Sequence, residues 1–437
     1  MKRKTLLILL IVLSVLLAAE LVFLCSLMAR EENVPADTTP EATIAPTVTE
    51  VSTTVPAETE STPSETTVPP TDAETEPSET QPREIRYTLT FAGDCTLASD
   101  PGNYASPHGF IQTIGTDYGY PFRNVLEFFE NDDFTIINLE SVLADQGSAA
   151  GKLFTFRGPT AYTQIMTGSS VEAVTLANNH TMDYGKDGYA STTQALTDAG
   201  VWYVEEDKTT LVTTESGLVI GLYADTFQMR SGDIQKNIRK LRDAGAEVVI
   251  CAFHWGNEGS YRPTADQKKF AREAIDAGAD IVYGHHPHVL QPIEEYKDGY
   301  IFYSLGNFSF GGNHFPRDMD SALVQLEVIR DENGKISLGG LKIIPLSISS
   351  MAVQNNFQPT PYREGTTEFD RVMSKLDGSF NGPDLVVNYD HLKPTEPPAA
   401  TEPPSTQPPA ATQPPAPPET PDPPPENPPA DPPADSE

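Results

Sequence analysis

The central part of this chain reads as an α/β protein, and three observations lead to that reading. Seven short apolar runs, "YTLTFAGD", "FTIINLE", "VEAVTLANN", "LVIGLYAD", "AEVVICAFHW", "ADIVYG" and "YIFYSLGNF", lack the alternation of half-exposed strands. Strands of that kind are buried on both faces and need helices to cover them. The tripeptide Asp-Ala-Gly occurs three times, at 198–200, 243–245 and 276–278, each time after a helical pattern and before an apolar run. Glycine just past a helix is the usual left-handed cap. Nearly every run also ends in a small polar cluster.

Taken in order, the chain opens with Lys2, Arg3 and Lys4, then an apolar run over 5–29 broken only by Glu20. About 20 apolar residues span a bilayer, and the basic cluster keeps the N-terminus cytoplasmic. No small-x-small cleavage site follows, and Leu24 stands before Cys25 where a lipoprotein signal needs a small residue. An uncleaved signal-anchor is therefore expected in place of a cleaved signal peptide, with single-pass membrane attachment and the folded domain outside the cell. Residues 30–84 are rich in Thr, Pro, Glu and Ser and read as a disordered acidic linker. Residues 391–437 read as a disordered, Pro-rich tail. Both segments suit spacing through a wall layer, or serve only to solubilise.

The remaining 85–390 is long enough for one large core. Within it, 264–277 shows Thr264 and Gln267 as a capping box before an apolar stripe at Phe270, Ala271, Ala274 and Ile275. The stretches 320–329 and 336–348 alternate more and have no helix between them, which predicts an antiparallel contribution near the C-terminal end.

The net charge of −33 comes mostly from the two tails. An acidic balance of this kind excludes nucleic acid as a partner. With three cysteines there is no disulfide framework, although a Cys95–Cys251 bridge stays open.

The polar clusters are Gly93-Asp94, Asn138-Leu139-Glu140, Asn178-Asn179-His180 with Asp183, His254-Trp255-Gly256-Asn257-Glu258, Gly284-His285-His286-Pro287-His288 and Ser304-Leu305-Gly306-Asn307. In open α/β sheets ligands bind beyond the carboxyl ends of the strands, so six clusters should converge there. Carboxylates, amides and imidazoles together suit a divalent transition metal (Mn, Fe or Zn), as one or two ions, and argue against an all-oxygen calcium cage. His-x-His lets His286 and His288 serve one metal or two neighbours. His285 then points away, to solvent or to a supporting role.

The order Gly-Asp, Asn-Leu-Glu, "ANNHTMDYG", His-Trp-Gly, "GHHPHVLQ", "SLGNF" resembles the CapA-type capsule synthesis family, associated with poly-γ-glutamate production. That family is similar in fold to the calcineurin-like metallophosphoesterases, an αββα sandwich. The resemblance spans about 89–349. It implies Asp94 as a ligand of a first metal, Glu140 as the bridging carboxylate, Asn179, His254 and His286 on a second metal, and His288 returning to the first. His180 would donate a proton to the leaving group. One departure stands out: the metallophosphoesterase pattern has Asp-x-His at its first block, whereas here Asp94 is followed by Cys95 and Thr96, which weakens the first metal position.

Around this set, Asp183 either caps the helix beginning near Gly185 or touches substrate. Asn307 fixes a turn or lines the pocket, and Glu258 orients a histidine or is a loop carboxylate. Arg157 reads a substrate carboxylate or phosphate, or makes a surface salt bridge. Trp255 and Tyr184 are expected as pocket walls, and His108, His314 and His391 as ordinary residues. The functional expectation is a surface-anchored capsule polymer biosynthesis or export protein with a metal-dependent hydrolase or transferase site. Its partners would be an anionic envelope polymer such as poly-γ-glutamate, the membrane, and capsule-assembly membrane proteins. The alternatives are a general metal-dependent phosphoesterase, or a non-catalytic component that binds or anchors the polymer.

Overall fold

The computed structural model describes residues 84–352 and 354–393 of the 437-residue chain. The expected membrane span over 5–29, the linker before residue 84 and the tail after residue 393 lie outside the described residues. Among the described residues, no helix is long and apolar enough to cross a membrane.

In chain order the strands are β1 (Ile85–Thr96), β2 (Phe134–Leu139), β3 (Val142–Leu143), β4 (Arg157–Gly158), β5 (Ala173–Thr175), β6 (Trp202–Val204), β7 (Lys208–Thr213) and β8 (Val219–Thr226). They continue as β9 (Val248–His254), β10 (Ile281–His285), β11 (Leu290–Tyr296), β12 (Gly299–Leu305), β13 (Asn307–Phe310), β14 (Asp320–Arg330), β15 (Ile336–Ser347) and β16 (Thr360–Pro361). One sheet runs β16-β15-β14-β1-β2-β5-β6, with β13 also on β1; a second runs β11-β12-β10-β9-β8-β7. Strands β1, β2, β5 and β6 are mutually parallel, as are β8, β9, β10 and β12. The stretches 320–330 and 336–347 pair antiparallel, as their alternation requires.

The sheets share one apolar layer. Leu89, Phe91, Phe134 and Ile136 of the first meet Ile220, Leu222, Ile250, Ile281 and Phe302 of the second, all buried. Helices Ser231–Asp243 and Ala265–Asp276 cover the outer face of the second sheet through Ile234, Ile238, Leu241, Ala271 and Ala274. Ile165, Met166 and Leu196, from helices Thr163–Thr167 and Gly185–Ala199, cover that of the first. Burial on both faces explains why the strands read as unbroken apolar runs. The capping box of Thr264 and Gln267 is present. The glycines of the three Asp-Ala-Gly repeats all have positive φ.

The run "YIFYSLGNF" is not one strand. Strand β12 ends in the second sheet at Leu305, the chain turns at Gly306 (φ +69°), and β13 begins in the first sheet, with Asn307 opposite Asp94. The Asp94 amide donates to the Gly306 carbonyl at 2.8 Å. A Cβ on Gly93 would lie 2.2 Å from that carbonyl oxygen. Glycine is required there because two backbones meet. Cys95 and Cys251 are both buried free thiols, so the bridge left open above is not formed.

Gly93→Ala is expected to lower the unfolding free energy by about 1–3 kcal/mol, because the clash is with backbone that cannot rotate away. A urea melt with an unmoved midpoint would show that the Gly306 turn yields instead.

Candidate metal centre

The carboxyl ends of the parallel strands in both sheets deliver the polar clusters to one place. Asp94, on β1, is fully buried and accepts from Asn138 Nδ2 at 2.8 Å, from His285 Nδ1 at 2.9 Å and from the His286 backbone amide at 3.3 Å. His288 Nδ1 lies 3.3 Å from its other oxygen. Burial opposes ionisation of Asp94, but the hydrogen bonds from His285 and His288 outweigh it and hold the carboxyl well below its usual range.

Glu140, just past β2, is equally buried, yet neither of its carboxylate oxygens has a hydrogen-bond partner. Its nearest imidazoles are His254 Nε2 at 3.5 Å and His288 Nε2 at 3.8 Å. Burial pushes its pKa well up. A buried, unpartnered carboxylate is expensive unless a cation sits against it.

Three donor groups converge: Glu140, His254 and His286; Asp94, Glu140 and His288; and Glu258, His286 and His288, with the donor atoms of each group within 4.8 Å of one another. The donor chemistry fits a divalent transition metal. Asn179 joins the second position through its Oδ1, 2.8 Å from His254 Nε2. Burial pushes the pKa of His254 well down and that of His286 down to about 4, so both rings stand neutral, as ligands must be.

The backbone is shaped to the task. His286 (φ +92°) and His288 (φ +55°) flank Pro287 in conformations that side-chain-bearing residues rarely adopt, a strain of about 1–3 kcal/mol each that surrounding structure must hold. Asn307 does so for His288, its Oδ1 accepting from Nδ1 at 2.9 Å and its Nδ2 donating to the His288 carbonyl at 3.3 Å. Asn307 thus fixes a ligand as well as lining the cavity.

His180 Nδ1 lies 2.7 Å from Asp183 Oδ2, and that same oxygen accepts from the Phe156 amide at 2.6 Å. Asp183 does not cap the following helix, whose N-cap is Tyr184 with no side-chain bond, because its carboxylate is committed to His180 and to the Lys152 ammonium. Asn178 holds the turn by accepting from the His180 amide at 3.0 Å and donating to the Leu139 carbonyl at 3.0 Å.

Of the two alternatives for His285 the supporting one holds: it is buried against Asp94 and Tyr283. Other expectations are corrected. Trp255 is core: its ring packs on Phe253 and donates to the Tyr303 carbonyl at 3.0 Å. Arg157 makes no side-chain salt bridge among the described residues; its guanidinium stacks on Tyr104 at 5.3 Å and Tyr184 at 5.0 Å. His314 is not ordinary, since it lines the cavity over the centre with both ring nitrogens buried and unpartnered.

That cavity, about 520 Å³, is lined by His180, His288, Asn307 and Glu258, and flanked by the exposed rings of Phe154 and Phe315. Phe227, just past the end of β8, is an additional neighbour that the sequence does not signal: its ring centroid lies 4.7 Å from that of His286, the two rings nearly perpendicular. Thr96, standing where the related pattern has histidine, keeps a buried hydroxyl with no partner. Cys95 beside it is no substitute ligand, because its side chain lies in the apolar core with Sγ 3.7 Å from the Gly93 carbonyl, outside all three donor groups.

Comparison with known proteins bears on the same residues. Positions 88–226 and 203–312 match the family model of the bacterial capsule synthesis protein PGA_cap. The chain belongs to this capsule synthesis family. It is 32% identical over 292 residues to the capsule biosynthesis protein CapA of Bacillus anthracis, covering 60% of this chain and 68% of that one. It is 29% identical over 328 residues to the PGA biosynthesis protein CapA of Bacillus subtilis, covering 69% and 84%. Every donor named above lies within the part matched by the family model. The helix Thr367–Leu376 lies beyond it, yet its Lys375 holds the cavity-lining Asp318 at 2.7 Å.

Metal binding to this family member is expected to release protons. Burial disfavours charge on His288, but Glu140 and Asp94 outweigh it and push its pKa up to about 10. Below that pH a metal must displace the proton, so affinity should rise with pH between about 6 and 9. Titration calorimetry of Mn²⁺ binding in two buffers of different ionisation enthalpy reads the released protons, and identical heats in both would contradict the assignment.

Proposed function

We propose that this capsule synthesis protein carries out a metal-dependent hydrolytic or transfer step on an anionic envelope polymer of the poly-γ-glutamate type. In this reading the domain works outside the cell, tethered by the segment 5–29, with capsule-assembly membrane proteins as neighbours. The observation that carries the reading is the Glu140 carboxylate, buried with both oxygens unpartnered among His254, His286 and His288.

Asp94, Glu140 and His288 would hold one ion; Glu140, Asn179, His254 and His286 a second. Bound there, a divalent ion supplies polarisation of a substrate oxygen and a more acidic bound water. The chain's own residues supply the rest. His180 is the proton donor: Asp183 engages its Nδ1, which leaves Nε2 for the leaving group on the cavity side. Lys152 pairs with Asp183 and donates to the Asn179 carbonyl at 2.6 Å, tying the donor to a ligand. Phe156, its ring 4.6 Å from that of His180, shields the pair from water. A general phosphoesterase would use the same parts, and substrate comparison separates the two.

The full chain, purified in detergent without chelator, is expected to retain Mn, Fe or Zn by elemental analysis and to lose most of it on His254→Ala. His180→Ala should keep the metal but slow cleavage or transfer of poly-γ-glutamate by about 10²–10⁴-fold, the range of general acid catalysis. No retained or added metal in the wild type would defeat the proposal, as would turnover of simple phosphoesters with none of the polymer.

A further inference from the structure

We infer that Glu258 is a direct metal ligand on the open side of the centre, joining His286 and His288. This rests on the metal reading above and goes beyond it. A carboxylate oxygen of Glu258 and ring nitrogens of His286 and His288 lie within 4.8 Å of one another. Glu140, near the same histidines, is fully buried, whereas Glu258 is exposed and lines the cavity.

The position of Glu258 is built. The Gly259 amide donates at 2.8 Å to the carbonyl of Pro287, the residue between the two histidines. Gly259 has φ +71°, a conformation that favours glycine. Gln291 Nε2 donates to the Ser260 carbonyl at 2.7 Å, and the Trp255 amide to the His285 carbonyl at 3.1 Å. The loop 255–260 is thus fastened at both ends to the segment that carries the histidines. Its rim is held again where Arg262 Nη2 donates to the Phe380 carbonyl at 3.1 Å. Among the described residues the Glu258 carboxylate has no hydrogen-bond or ion-pair partner of its own, which leaves its oxygens free to ligate.

Donor chemistry points the same way. Thr96 beside Asp94 keeps an unpartnered hydroxyl, a poor ligand for such an ion, and no cysteine joins any of the three donor groups. A carboxylate entering from the loop adds an anionic donor at the cavity wall, beside His288.

The test uses the full chain and Mn²⁺ alone as probe. Glu258→Gln and Glu258→Asp are compared with wild type and with Glu332→Gln, an exposed residue of the β14–β15 turn. Glu258→Gln should weaken Mn²⁺ binding by at least about tenfold, as loss of groups around a metal commonly does. Glu258→Asp should fall between. Water-proton relaxation by bound Mn²⁺ should rise in Glu258→Gln, because water replaces the lost carboxylate; a merely structural loop residue would not change it. Unaltered far-UV circular dichroism confirms that the fold is kept. Affinity within twofold of wild type and unchanged relaxation would overturn the role of Glu258 alone. A wild type that binds no Mn²⁺ would overturn this inference together with the metal reading beneath it.

Discussion

The buried carboxylate of Asp94 is the interaction on which the site's geometry turns. It sits on the first sheet and draws donors from both: Asn138 from its own neighbour strand, His285 and the His286 amide from the end of β10 across the sandwich. A carboxylate this deep survives as an anion only if its lone pairs are met. Meeting them fastens the carboxyl ends of the two sheets together. The chain reinforces the junction one residue away, where Gly93 admits the Gly306 backbone and the strand after it changes sheets. Ligand placement and sheet packing are therefore one constraint.

Asp94 and Glu140 differ in how they are met, and the difference locates the chemistry. Asp94 is satisfied by protein donors, while Glu140 faces only imidazoles too distant to bond. Burial favours a proton on Glu140, and the two carboxylates favour one on His288, in the place a cation would take. Proton and cation thus compete for one set of electron pairs, which makes the centre sensitive to pH.

A second buried ionic cluster has all its charged members outside the part shared with the family model. Lys375 is enclosed by Asp318 and Asp320, Arg371 pairs with Asp320 as well, and Tyr261 donates to Asp318 at 2.9 Å. Such clusters are weak sources of stability but strong sources of specificity of arrangement. Here the arrangement specified is that of the cavity wall, since Tyr261, Arg317 and Asp318 all line it. The C-terminal helix, although remote in sequence, shapes the space above the centre.

The strands, the helix caps and the identity of most donors were legible in the sequence, because each depends on residues close together in the chain. Burial on both faces leaves unbroken apolar runs, a left-handed cap calls for glycine, and polar clusters gather where parallel strands end. What the sequence could not decide depends on contacts between distant segments. Asp183 turned to His180 instead of capping its helix because Lys152 and the Phe156 amide reach it from another loop. Trp255, next to a ligand, points the other way into the core, as alternation along β9 demands. Strand exchange at Gly306, the inward turn of His285 and the approach of Glu258 were settled only when two sheets met. By itself the sequence determined which chemical groups arrive at the strand ends; tertiary structure alone decided which of them face one another, since hydrogen-bond geometry acts across space and carries no record of chain distance.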